Sequence, residues 1–118
     1  MKRGLMKESI KFRYFCEDEF REFLDSLPDK VAAKLIQTIK HIETEGLRVS
    51  LEMQWVDKLE DNLYEIRVRS NGVFPRCIFF KDNSNKDYII VWYFKKKSNR
   101  TPQKEIEKAI HRRLEYLA

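Results

Sequence analysis

The apolar positions of the chain change period several times, and each change marks an element. Ile10–Tyr14 alternates apolar and basic residues, which predicts a short strand. From Asp18 to Leu27 the period lengthens: Phe20, Phe23, Leu24 and Leu27 fall on one helical face. Pro28 resets the chain and suits the first turn of a second helix, where no backbone hydrogen bond is lost. Val31, Leu35, Ile39 and Ile42 form its stripe, with Ala32 and Ile36 beside it, and Gly46 is placed to stop it. Leu47–Asn62 has no assignable period, although Trp55, Val56 and Leu59 require part of it to pack. Leu63–Arg69 alternates again, with Tyr64, Ile66 and Val68 on one side and Glu65, Arg67 and Arg69 on the other. Ser70-Asn71-Gly72 predicts a turn, Pro75–Lys81 a strand and Asp82–Asp87 a second turn. Tyr88–Phe94 is wholly apolar, as in the middle of a sheet. Thr101-Pro102 then predicts an N-cap and a first helical residue, followed by a helix with Ile106, Ala109, Ile110, Leu114 and Leu117 on one side.

This order predicts an α+β fold: strand-helix-helix, an antiparallel strand meander and a C-terminal helix. With all helices on one face of the sheet, the other face is expected to be partly open and to carry Arg67 and Arg69, with Arg76 facing the same open side. The 118 residues suit one domain spanning 1–118, with enough length for a real core. A hydrophobic fraction of 42% argues against disorder. No apolar run is long enough to cross a bilayer, so no membrane role is expected. The start, MKRGLMKESIKF, is basic but lacks an apolar signal core, and a cytoplasmic location is expected. Two cysteines, Cys16 and Cys77, are too few for a disulfide framework or a cysteine-based zinc site.

Charge sharpens the picture. Asn62–Arg100 holds nine Lys/Arg and three Asp/Glu, a net of +6, whereas the whole chain is +5. The excess positive charge therefore belongs to this segment. Arg67 and Arg69 share one strand face, Arg76 opens the next strand, and Lys95, Lys96 and Lys97 follow a third. Any one of these is ordinarily a solvated surface residue. Together they form a cluster that repels itself unless an anion neutralises it, and a phosphate chain is the obvious anion. Tyr93 and Phe94 either belong to the core or stack a base beside the lysines.

Other chemistry finds little support. His41 and His111 lie in helices, away from the strand cluster and without metal-ligand spacing. No Gly-rich phosphate loop, GxSxG or local Cys–His signature is present. Glu17, Asp18, Glu19 and Glu22 sit where a helix dipole favours them, so they read as structural.

The run KLEDNLYEIRVRSNGVFPRCIFF, followed by FKKKSNRTPQKEIEKAIHRRLEY, resembles the RelE/HigB toxin superfamily of bacterial toxin–antitoxin modules. It is closest to the phage-related HigB-like branch. Its specific part is the joint pattern K-L-x(3)-L-Y-E-I-R, a Gly turn, R-x(2)-F-F, F-K-K-K and T-P-x(2)-E-I-x(2)-A. The resemblance covers about the last sixty residues at motif level, and the strand-helix-helix opening fits it too.

The resemblance implies a RelE-like fold and a toxin that inhibits translation by cutting mRNA, usually on the ribosome, without a cofactor or metal. It implies a cognate antitoxin, a helix-turn-helix protein in this branch, and operator DNA reached only through that antitoxin. By motif position Arg67, Arg76, Lys95 and Lys96 are the catalytic candidates. Arg76 is expected on the non-bridging phosphate oxygens, Arg67 on the phosphate and 2′-oxygen, and Lys95 or Lys96 at the leaving group. Glu65 is the one carboxylate on that strand face and thus the candidate base, although some relatives carry a basic residue there. Arg69, Lys58, Lys97, Tyr93 and Phe94 are the RNA-binding candidates. The chain lacks the C-terminal histidine of some branches. A non-catalytic nucleic-acid-binding module using the same patch is the alternative, and a domain that meets an acidic protein is a third reading.

Overall fold

The computed structural model describes residues 8–97 and 100–118. The basic start, MKRGLMKESIKF, lies mostly outside the described residues. The elements are β1 (Phe12–Tyr14), α1 (Glu17–Asp25), α2 (Asp29–Glu52), β2 (Val56–Glu60), β3 (Leu63–Arg67), β4 (Pro75–Asp82), β5 (Asp87–Lys95) and α3 (Gln103–Leu117). The five strands form one mixed sheet in the order β1-β5-β4-β3-β2. β1 pairs parallel with β5, and the other neighbours are antiparallel. This α+β architecture is compatible with the RelE-like fold. No helix among the described residues is long and apolar enough to cross a membrane.

One difference from the expected layout matters most for function. The helices do not share a face. The stripes of α1 and α2 (Phe20, Leu27, Val31, Leu35, Ile39, Ile42) pack with Ile66, Val68, Cys77, Phe79, Tyr88 and Ile90. α3 lies on the opposite face, where Ala109, Ile106 and Ile110 meet Leu63, Ile78, Phe80, Ile89 and Val91. The sheet is thus apolar on both sides, which is why β4 is buried almost throughout. Leu114 and Leu117, expected in the α3 core stripe, are exposed, at 63% and 53%.

A bulge aligns the far end of this layer. Ile78 pairs with Trp92 but Phe79 pairs with Ile90, which leaves Val91 as an extra residue on β5. Such an insertion shifts the alternation of the bulged strand. It keeps Ile89 and Val91 under α3 and also brings Trp92, Phe94 and then Lys96 to that side.

Gly46 ends the regular part of α2 with φ 86° and ψ 173°, and helical turns resume to Glu52. The chain needs glycine there for two reasons. This backbone region is almost closed to other residues, and a Cβ would sit 2.3 Å from the Glu8 carbonyl oxygen. The segment without a readable period contains the last turns of α2 and all of β2. At the other helix start, Thr101 does not cap α3: Pro102 holds that place, and the Thr101 hydroxyl is used elsewhere.

Candidate functional site

β3 and β4 place Arg67 directly opposite Arg76, and Glu65 opposite Ile78. β4 and β5 place Arg76 opposite Phe94. The ladder continues past β5, since Lys96 N–H donates to the Phe74 carbonyl at 2.8 Å. Alternation from these pairs puts Glu65, Arg67, Arg76, Phe94 and Lys96 on one face, the face of α3. The helix starts beside them, and the Thr101 hydroxyl donates to Glu65 Oε1.

The cluster is built inward rather than on an open sheet. Arg76 is 5% exposed and Glu65 1%, and the Lys96 side chain is 7% exposed. This corrects the expectation that Arg76 faces solvent from an uncovered sheet: α3 covers that face, and the arginine is fixed from several directions. Its Nη1 donates to the carbonyls of Val68 at 2.8 Å and Pro75 at 3.0 Å. Its Nε lies 3.5 Å from Glu65 Oε2, and among the described residues this buried Nε has no hydrogen-bond partner. Lys96 Nζ approaches the same Glu65 oxygen at 3.9 Å. One carboxylate therefore serves two cations and a hydroxyl.

The electrostatics are unbalanced toward positive. Burial lowers the affinity of Arg76 for its proton, Glu65 opposes that shift, and Arg67 and Arg69 add to it. Burial lowers the Lys96 pKa too, with Glu65 and Asp57 opposing and Arg76 and Arg67 adding. Arg67 is half-buried and Arg69 exposed, and neither forms an ion pair among the described residues. The guanidinium of Arg69 lies 5.7 Å from the Phe74 ring centroid. Four cations (Arg67, Arg69, Arg76 and Lys96) against Glu65 and Asp57 leave the site with a formal excess of two positive charges.

Not every candidate residue joins this cluster. Lys95 pairs with Pro75 and so belongs to the opposite face, where it is exposed. Tyr93 pairs with Cys77 and packs against Phe20 and Phe23 of α1. Its hydroxyl donates to Glu19 Oε1 at 2.7 Å, so it is a core aromatic and not a stacking platform of this site. Lys58 pairs with Tyr64, again on the α2 side, and is exposed. Phe94 lies on the correct face, half-buried at the margin of the α3 core. Lys97 is exposed just beyond Lys96.

Two members had no clear signal in the sequence. Thr101 carries the pattern of a helix cap, and its hydroxyl instead ties α3 to β3. Asp57 pairs with Glu65 across β2 and β3, which brings an exposed carboxylate to the same face. It was hidden because β2 has too few apolar residues to show a period. Among the described residues no group of three or more His, Cys, Asp or Glu is placed to hold a metal.

The family model described as phage derived protein Gp49-like (DUF891) matches residues 22–114, from α1 nearly to the end of α3. No curated protein matches the chain.

Proposed function

The chain belongs to the Gp49-like family of phage-derived proteins, a family associated with the toxins of toxin–antitoxin modules, and from that premise we propose that it is a metal-independent mRNA endoribonuclease. The observation that carries this reading is the meeting of Arg67, Arg76 and Lys96 on one sheet face, with Glu65 as their shared buried counter-ion. Positive charge held in a partly dry site stabilises developing negative charge far more than the same charge in water.

The reaction is attack of a ribose 2′-oxygen on the adjacent phosphorus. The O2′–P bond forms, the P–O5′ bond breaks, and a 2′,3′-cyclic phosphate and a free 5′-hydroxyl result. Arg76 is a fixed charge behind the phosphate, and Arg67 presents its planar fork to the non-bridging oxygens. Lys96 gives its proton to the departing 5′-oxygen. Burial that lowers its pKa makes it a better acid at neutral pH. Asp57 takes the 2′ proton, a role suited to an exposed carboxylate on the same face. Arg69, Lys97 and Phe94 hold the flanking RNA. Lys95 and Lys58 contribute charge from the other side of the sheet, outside the reaction.

A toxin of this type requires a co-encoded antitoxin, and we place mRNA, on the ribosome, as the substrate and a helix-turn-helix protein as that partner. Support comes from the family association and from the pattern of the strand motifs. Incubation of the purified chain with mRNA in EDTA, with and without ribosomes, tests the reading. Cleavage that survives chelation supports it. Salt-sensitive RNA binding with no cleavage under either condition indicates a non-catalytic binding module instead.

A further inference from the structure

We infer that Glu65 is a positioning residue: as the buried counter-ion of Arg76 and Lys96, latched to α3 through Thr101, it holds both cations in place for the phosphate and keeps Lys96 charged. This rests on the proposed reaction and concerns one feature of it, how two buried cations are held, and Lys96 kept charged, before RNA arrives.

The geometry limits Glu65 to this role. At 1% exposure its carboxylate has no open path to a ribose hydroxyl. Oε1 accepts from Thr101, and Oε2 faces Arg76 Nε at 3.5 Å and Lys96 Nζ at 3.9 Å. Oε1 is therefore taken, and Oε2 lies enclosed between the two cations. A base would need an oxygen free to take a proton. The distances to the two cations are longer than those of tight charge-assisted hydrogen bonds, about 2.7–2.9 Å. Arg76 Nε in particular is left without a hydrogen-bond partner among the described residues. The carboxylate thus offsets the two charges without a tight hydrogen bond to either, and the enclosed Arg76 acts on an incoming phosphate as a fixed charge.

Lys96 depends on this arrangement most. The charged groups that face it are Glu65 and Arg67 from β3, Arg76 from β4 and Asp57 from β2. Burial and both arginines favour loss of its proton, and only Glu65 and Asp57 oppose them. Of these two carboxylates Glu65 is the one in ion-pair range. Removing the Glu65 charge is therefore expected to deprotonate Lys96 at lower pH, while making the site more positive toward RNA.

The test is Glu65→Gln, which keeps an oxygen for Thr101 and deletes the charge, beside Thr101→Val, which keeps the charge and deletes the latch. For Glu65→Gln we expect RNA to bind at least as tightly as to the wild type. Its kcat should fall by about tenfold or more, and the alkaline limb of kcat should move to lower pH. For Thr101→Val we expect a severalfold lower kcat with the alkaline limb unmoved. A Glu65→Gln variant with wild-type kcat and pH profile overturns the inference, as does one whose RNA binding falls in step with kcat. If Glu65→Gln does not fold, Thr101→Val decides: unchanged kcat overturns the latch and with it the inference. A carbon-13 NMR titration of Lys96 in the free proteins separates this idea from the RNA reading. Wild-type protein that leaves RNA intact defeats the nuclease proposal, yet a lower Lys96 pKa in Glu65→Gln would still establish the counter-ion. An unchanged Lys96 pKa in the folded variant overturns it whatever the substrate.

Discussion

Replacing Arg76 by alanine removes a charge that the fold has enclosed, so its first effect is expected on stability. At 3.5 Å the Glu65–Arg76 attraction is about 5 kcal/mol at the effective dielectric constant of roughly 20 that suits protein sites. Desolvation of the two groups offsets much of this, so the pair need not stabilise the protein on balance. Removing one partner is different, because it strands the other. Buried pairs broken in this way cost about 3–5 kcal/mol. Lys96, 3.9 Å from the same oxygen, compensates in part, whereas the carbonyls of Val68 and Pro75 lose their donor. The expected loss for Arg76→Ala is about 3 kcal/mol, on the order of 10 °C in Tm for a domain of this size. The double variant Glu65→Leu/Arg76→Met removes both charges, and the flexible Lys96 stem can then carry its ammonium toward water. It should recover at least about 2 kcal/mol relative to the sum of the single changes, measured as a double-mutant cycle by urea unfolding. A single Arg76→Ala change costing under about 0.5 kcal/mol, or strict additivity in the cycle, would refute the buried-pair reasoning.

Lys95→Ala should leave stability within about 0.5 kcal/mol by urea unfolding, because Lys95 is exposed on the opposite face from Lys96. Gly46→Ala should cost more than about 2 kcal/mol, since it meets both a forbidden backbone region and the Glu8 carbonyl, while Gly72→Ala, with open space at its Cβ, should cost about 1 kcal/mol. Thermal melts of the two variants compare them directly. Hydrogen bonds from Arg112 and Tyr93 lower the Glu19 pKa below the usual carboxylate range. The stability this contributes is complete above the unfolded pKa of about 4.3 and is lost as pH falls through the lowered folded value, so Glu19→Gln should flatten the stability curve in that acid window. Cys77 is fully buried, and burial pushes its thiol pKa up, so a thiol reagent should label Cys16 alone in the native protein and both cysteines after unfolding.

Much of this fold is written in periodicity. The stripe from Val31 to Ile42 and the alternation through Leu63–Arg67 each have one arrangement that buries their apolar side, and the structure adopts it. The basic cluster was legible too, because Arg67 and the lysine run end two strands and Arg76 opens the strand between them. What could not be read is decided by pairing across the chain. β2 offers only Val56 and Leu59 as apolar residues and exists because β3 needs an edge partner. The bulge at Val91 shifts the alternation of β5, and no local pattern marks it. Whether Lys95 or Lys96 joins Arg76 depends on the register that follows this bulge. The side taken by α3 was equally hidden, since the alternating face of β3 looked open until Ile78, Phe80 and Ile89 acquired a cover. That single difference turns Arg76 from a surface clamp into a buried charge.

The central claim is that the Arg67–Arg76–Lys96 face acts on an RNA phosphate, and the most direct measurement is single-turnover cleavage of RNA in EDTA with end-group analysis. Arg67 is the residue to change, because it is half-buried, forms no ion pair among the described residues and leaves the buried Glu65 assembly intact. The expected result is a 2′,3′-cyclic phosphate product from the wild type and a rate about 10²–10³ lower for folded Arg67→Gln. Wild-type cleavage rates in folded Arg67→Gln, or products ending in a 3′-hydroxyl, would contradict it.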